Sequence, residues 1–401
     1  MQSSTIEEQF LLLPKSKIKA GEGINNGKYP FFTSSDIKIS SLNSFEYDEE
    51  ALILGTGGKA SCNYINGKFS FSTDNYALKT KGNIETKFLY YYLRSNNLAV
   101  LQNGFHGAGL QHIGKDYILN ISFPLYEKSK QVSIINSLDT INKIIMFQQR
   151  QLNLFDKLIK SRFVEMFGDP EVNPYNWKKV ALSEIITTIN NGMTRRGSDS
   201  DGNVVLRLVE LQEGFIDYSN VNRIKLKEIE KTKFLLKEND FLFARVNGNP
   251  NYVGRCAIFL EKDEPIYHND HIIRVHCKDN IFKGIFGAYL FNSDYGKLQI
   301  KQYISTSAGQ FTINQTGIGS IIVILPPVEL QNEFEEFVKQ INKLKFVVHS
   351  RYFLCEILTL FSSTIAYSRV VSILACPNIF CTCSIGIPLS MAFVANVLLN
   401  L

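Results

Sequence analysis

Two kinds of hydrophobic spacing alternate along the chain, and each occurs twice. Short apolar runs and two-residue alternation come first. Ala51-Leu52-Ile53-Leu54 precedes Gly55, and Thr73-Asp74-Asn75-Tyr76-Ala77-Leu78 follows as an alternating strand. A short helix is expected at Phe88–Leu93, then a glycine-rich turn, then a strand Ile121–Pro124 that proline ends. Beyond Pro124 the period lengthens to about 3.5. Ile134, Leu138, Ile141, Ile145, Leu152, Phe155, Ile159, Phe163 and Met166 mark one stripe. It predicts a helix over 131–166, roughly 54 Å long at 1.5 Å per residue, stopped by Gly168-Asp169-Pro170.

The same order then recurs. Phe241-Leu242-Phe243 precedes Ala244-Arg245, and Asn269-Asp270-His271-Ile272-Ile273 opens the alternating strand. Phe286–Leu290 predicts the short helix, and Ile322–Leu325 runs into Pro326-Pro327. A second stripe follows at Phe334, Phe337, Ile341, Leu344 and Val348. The two halves align at an offset of 200. Ala108, Gly109, Ile113, Ile118, Ile121, Leu125, Gln131, Ile141, Asn142 and Lys143 each recur 200 positions later. Internal repeats of this kind mark duplicated structural modules. Two long helices with one apolar stripe each bury those stripes by packing together as an antiparallel pair.

The expected fold class is therefore α+β: two tandem α/β domains separated by long antiparallel coiled-coil helices. The expected boundaries are a first domain over 1–125, a central helical spacer over 126–175, a second domain over 176–325, a closing helix over 326–363 and an apolar tail over 364–401. The length of 401 residues suits two domains with connectors. The balance of 45% hydrophobic and 20% charged residues is that of a globular chain. A net charge of +5 permits a polyanionic partner without demanding one. Seven scattered cysteines fit reduced thiols in a cytoplasmic protein better than a disulfide framework. Cys381 and Cys383, with Cys376 nearby, lack the further ligands a metal site needs. The N-terminus has Glu7 and Glu8 and no basic segment, so no signal peptide is expected.

The order of features resembles the specificity subunit of type I restriction–modification enzymes. The stretches that carry the resemblance are FPLYEKSKQVSIINSLDTINKII (123–145) and LPPVELQNEFEEFVKQINKLKF (325–346). LFDKLIKSRFVEMFGDP (154–170) and NWKKVALSEI (176–185) add to it, and it covers roughly residues 10–350. The resemblance implies that each globule reads one half of a split duplex-DNA target, with the helices as a ruler. It also implies two modification subunits that carry S-adenosylmethionine and methylate adenine, and restriction/translocase subunits in the same assembly. No cofactor is expected in this chain, and no membrane. Little precedes the first globule, so a leading helix of the family pattern is expected to be short or absent.

A stand-alone nuclease or methyltransferase is the rival, and the motifs argue against it. Asn249-Pro250-Asn251-Tyr252 lacks the second proline of an adenine-methylase motif. Gly55-Thr56-Gly57-Gly58-Lys59-Ala60 lacks the Walker spacing, and Ala60 stands where a hydroxyl would hold magnesium. His268-Asn269-Asp270-His271 lacks paired acidic ligands and reads better as a structural strand start.

Base edges call for Arg, Asn or Gln, and phosphates for Lys, Arg, hydroxyls or backbone amides. The candidate DNA contacts of the first globule are Lys28, which closes a basic run with Lys15, Lys17 and Lys19, then Thr56, Lys59, Asn63 and His106. Those of the second are Arg195, Arg196, Arg207, Arg245, Asn247, Asn249, Arg255, Thr306 and Gln310.

From Phe346 onward the only charged residues are Arg351, Glu356 and Arg369. Residues 384–401 carry none. With Pro388 inside and no basic anchors, a membrane span is less expected there than a replaced closing helix, such as a shifted reading frame would give. An inactive remnant is the third reading.

Overall fold

The computed structural model describes residues 2–361 apart from Ile37 and Ala308. The tail expected at 364–401, with Cys376, Cys381 and Cys383, lies outside the described residues. The chain divides into two compact units: unit 1 holds residues 1–151 with the stretch from 348, and unit 2 holds residues 152–347.

Unit 1 opens with β1 (Ser3–Thr5), α1 (Ile6–Gln9) and β2 (Phe10–Leu12), then β3 (Tyr29–Phe32) and β4 (Ser40–Leu42). The central strands β5 (Tyr47–Gly55), β6 (Ser61–Phe71) and β7 (Asn75–Thr80) follow. After them come α2 (Thr86–Gln102), the hairpin β8 (Phe105–His106) and β9 (His112–Ile113), α3 (Lys115–Leu119), β10 (Ser122–Pro124) and α4 (Lys128–Phe167). The sheet order is β2-β7-β5-β6-β3-β4, and β1 pairs with β10. The apolar run 51–54 lies in β5 and is buried on both faces. Leu52 and Leu54 pack with Phe88, Leu89 and Leu93 of α2; Ala51 and Ile53 pack with Phe32, Phe69 and Phe71.

Unit 2 repeats this plan with additions. It contains β11 (Lys178–Ala181), β12 (Ile186–Asn191), β13 (Asn203–Leu206), β14 (Arg223–Ile224) and α5 (Glu228–Phe234). Then come β15 (Phe241–Ala244), β16 (Val246–Asn247), β17 (Cys256–Ile258), β18 (Ile266–His268) and β19 (Ile272–Cys277). It ends with α6 (Gly284–Asn292), α7 (Asp294–Lys301), β20 (Ser305–Ser307), β21 (Gln310–Thr312), α8 (Gln315–Gly319), β22 (Ile322–Leu325) and α9 (Val328–Phe361). Its central order, β12-β19-β15-β17, matches β2-β7-β5-β6, and β11 pairs with β22 as β1 does with β10. Cys62 and Cys256 sit at the same place: Cys62 faces Leu54 across β5–β6, and Cys256 faces Phe243 across β15–β17. Both are fully buried, and burial pushes both thiols up.

The strongest match is at the root of each long helix. Gln131 is fully buried; its Oε1 accepts from Glu85 N at 2.9 Å, and its Nε2 donates to Tyr126 O at 2.8 Å and Asn83 O at 3.4 Å. Gln331 is also fully buried; its Oε1 accepts from Lys283 N at 2.8 Å, and its Nε2 donates to Pro326 O at 2.8 Å and Ile281 O at 2.9 Å. In both units one amide ties the first turn of the long helix to the loop that leads into an earlier helix, α2 in unit 1 and α6 in unit 2. A buried polar group persists because all its bonds are made.

Within unit 2 the later part of α4 lies beside α9 and runs the opposite way. Asp156 pairs with Lys345 at 2.5 Å, and Arg162 with Glu333 at 2.9 Å. Next to the second pair Phe163, Phe167, Phe286 and Phe334 form an aromatic cluster, mostly edge to face, with centroids 4.7–5.7 Å apart.

Several expectations change. The globules are antiparallel-rich α+β bodies; β3–β6 and β13–β18 are the parallel pairs among the described strands. The short helix expected at 88–93 is α2, which has 17 residues, because nothing in its sequence stops it before Asn103-Gly104. Its counterpart is split at Ser293, whose Oγ accepts from Gly296 N at 3.1 Å and so caps a new helix. Leu344, expected on the buried stripe, is 51% exposed, whereas Val338 is buried. At about 100° per residue Leu344 lies roughly 80° round the helix from Phe334, whereas Val338 and Ile341 lie within about 40° of it.

Candidate nucleic-acid interfaces

Each unit carries one surface where the sheet hands over to a glycine-bearing hairpin, and the backbone there is built identically. In unit 1, Thr56 N donates to Asp74 O at 2.9 Å, and Thr56 O accepts from Ile113 N at 3.1 Å. In unit 2, Arg245 N donates to His271 O at 2.8 Å, and Arg245 O accepts from Ile313 N at 3.0 Å. Thr56 and Arg245 therefore occupy one structural position. So do Gly57, bridged to His112, and Val246, paired with Thr312.

In unit 1 the segment 55–60 is a turn between the antiparallel strands β5 and β6, so no helix follows to make a phosphate loop. Gly58 has φ +83°, which glycine adopts without steric cost. Lys59 is exposed beside Thr56. Asn63 is half-buried, with Nδ2 3.4 Å from Ser35 O. His106 is exposed on β8, directly across from His112 on β9. His112 was not among the predicted contacts; the two-residue alternation about the 107–109 turn is the signal that finds it. Lys15 lies over the ring of Tyr76, 5.0 Å from its centroid, beside the same turn. Lys28 stands apart. It precedes β3, whose far end, Phe32, joins the neighbourhood of the turn through Ser72 and Asn75. That is roughly 13 Å away at 3.3 Å per residue.

In unit 2 the predicted residues separate into engaged and available side chains. Arg195 forms an ion pair with Glu230 and donates to Lys225 O at 2.7 Å. Arg207 pairs with the buried Glu210, its Nε 2.9 Å from the carboxylate, and donates to Asn220 O. Arg255 lies over Tyr252 and donates to Leu211 O at 3.2 Å. Asn249 accepts from Asn251 N at 3.0 Å, capping the 3-10 turn of residues 250–252, so the Asn-Pro-Asn-Tyr segment is a structural cap. Arg196 is more open, with its side chain 54% exposed; it pairs with Asp270 at 2.6 Å and reaches His271 Nε2 at 3.3 Å. Asn247 accepts from Asn249 N through Oδ1. Thr306 and Gln310 are exposed on the β20–β21 hairpin, where Gly309 has φ +75°. Arg196, Arg245, Asn247 and His271 thus share one polar patch, with Asp270 paired to Arg196 within it.

His268 differs from His271. It is fully buried at the end of β18, with Nδ1 3.2 Å from Phe234 O. Burial lowers its pKa to about 4, so it is a neutral core residue. No group of His, Cys, Asp or Glu among the described residues is arranged to hold a metal ion.

Residues 1–154 and 174–349 match the family model described as the type I restriction modification DNA specificity domain. The chain is 26% identical over 343 residues to the type I restriction enzyme StySPI specificity subunit of Salmonella potsdam, covering 79% of this chain and 73% of that one. It is 23% identical over 344 residues to the EcoKI specificity subunit of Escherichia coli strain K12, with the same coverages. It is 25% identical to the MjaVIII specificity subunit of Methanocaldococcus jannaschii, covering 79% and 80%. Among solved structures, the S subunit of a type I restriction-modification system from M. genitalium superposes with a TM-score of 0.59 at 15% identity, covering 90% of this chain and 95% of that one.

Proposed function

This chain belongs to the type I restriction modification DNA specificity family, and from that premise we propose that each of its units reads one half of a split duplex-DNA target. The observation that carries the reading is the shared frame: one sheet order, one hairpin position and one helix-root glutamine, built twice in one chain. A duplicated reader suits a bipartite site, because base-edge contacts specify each half and a fixed separation sets the gap between them.

In this reading α4 and α9 form the spacer and the docking surface for two modification subunits. Those partners bring S-adenosylmethionine and methylate adenine, restriction/translocase subunits cleave, and this chain supplies the address without doing chemistry. The exposed lysines near the hairpins neutralise phosphates, which makes binding salt-dependent but carries no sequence information. No helix among the described residues is long and apolar enough to cross a membrane, and the reading places the assembly in the cytoplasm with the chromosome.

The test is a map of methylated adenines in cells with and without this gene. A two-part motif that vanishes on deletion supports the reading; identical maps overturn it.

A further inference from the structure

We propose that Arg245 reads a guanine, and so determines specificity in the half-site of unit 2. The inference rests on the function proposed above and names the group that would carry it out.

The first ground is availability. The other described arginines of unit 2 already have acceptors. Beyond Arg195, Arg196, Arg207 and Arg255, Arg162 pairs with Glu333, Arg223 with Glu264, and Arg274 with Asp240. Arg245 makes no side-chain hydrogen bond or ion pair with any described residue; its Nε, like that of Arg255, is buried without an acceptor, but unlike Arg255 its terminal amino groups have no acceptor either. The terminal amino groups of Arg245, with no acceptor in the protein, remain to take one from a ligand.

The second ground is placement. The backbone of Arg245 is pinned on both sides, by His271 O and Ile313 N, on the frame that holds Thr56 in unit 1. Its side chain is half-buried rather than free to sweep. Val246 is buried, so Arg245 and Asn247 project on the side opposite to it. Asn247 has Oδ1 engaged by Asn249 N, leaving its amide donors on offer. Asp270, the carboxylate of this patch, is held by Arg196.

The third ground is chemistry. A phosphate is met by any point charge and needs no planar fork. A rigid, planar fork with two parallel donors fits an edge with two adjacent acceptors, and in the major groove that edge is O6 and N7 of guanine. Thr56 has no such fork, so the two half-sites differ in what is read at the equivalent place.

The experiment uses the full chain with its modification subunit, and fluorescence anisotropy against the mapped target and each single-pair variant of it. Arg245→Ala is expected to weaken binding to the cognate duplex by about 5- to 150-fold. At one G·C pair in one half-site, the protein change and the base change are expected to be non-additive: once that guanine is replaced, Arg245→Ala costs nothing further. Arg245→Lys is expected to retain part of the preference for guanine. Equal loss on every duplex marks a phosphate contact and overturns the proposal, as does unchanged binding by both variants. A wild-type complex that binds all duplexes alike overturns the function proposed above as well; a selective wild type with an additive cycle overturns this inference alone.

Discussion

At the roots of α4 and α9, unit 1 and unit 2 are interchangeable: Gln131 and Gln331 make the same three bonds to the same kinds of backbone group. At the hairpins they diverge. Thr56 and Arg245 share a backbone and nothing else, and unit 2 adds α5 after β13 and β14, the strands that correspond to β3 and β4. The difference follows from burial. Replacing a fully buried amide with three partners is costly, because the change strands donors and acceptors. A half-buried side chain above a pinned backbone can be exchanged without disturbing what holds it.

Trp177 makes this comparison measurable. It is the single tryptophan of the chain and lies in unit 2, where its Nε1 donates to Phe167 O at 2.9 Å. Its fluorescence during denaturant unfolding therefore reports unit 2. The largest effect is expected from Phe334→Ala, which empties the centre of the aromatic cluster and should cost about 3–5 kcal/mol by that probe. If the loss is under 1 kcal/mol, the cluster is not the core of unit 2.

Next comes acid. His268 titrates near its ordinary value when unfolded but at about 4 when folded. Between those values the unfolded chain binds the proton and the folded chain does not, so stability falls as pH drops through the window from about 6.5 to 4. The contribution is about 3 kcal/mol, and it belongs to unit 2; His106 and His112 of unit 1 are exposed. Tryptophan-detected unfolding that is flat across that window contradicts this assignment.

Gln131→Leu and Gln331→Leu should each cost about 1–3 kcal/mol, and by similar amounts. Circular dichroism follows both units and tryptophan follows the second. Unequal costs would show that the roots are alike in geometry only. The smallest effect is expected from Lys345→Ala. Its ion pair with Asp156 is at the surface and should be worth less than about 1 kcal/mol, declining with salt.

The sequence made some of this plain and hid the rest. The heptad spacing located α4 to within three residues at its start, because burial in a helix is periodic. The fixed offset of 200 picked out Gln131 and Gln331 as a pair, but nothing in the letters said that both are buried amides. That offset does not extend to the centre. Thr56 corresponds to Arg245, Cys62 to Cys256 and Asp74 to His271, at offsets of 189, 194 and 197, because unit 2 and unit 1 differ in loop length there. The engagement of Arg195 by Glu230 was equally hidden, since the partners are 35 positions apart and meet only through tertiary structure.

The paired cysteines have a practical consequence. Each unit holds a thiol on the strand that pairs with β5 or β15, closed to water and disinclined to ionise. Alkylating reagents attack the thiolate, so neither site reacts until its own strands part. Peptide mapping of the two adducts over time would then serve as a pair of clocks, one for the opening of each half of the chain in the intact assembly.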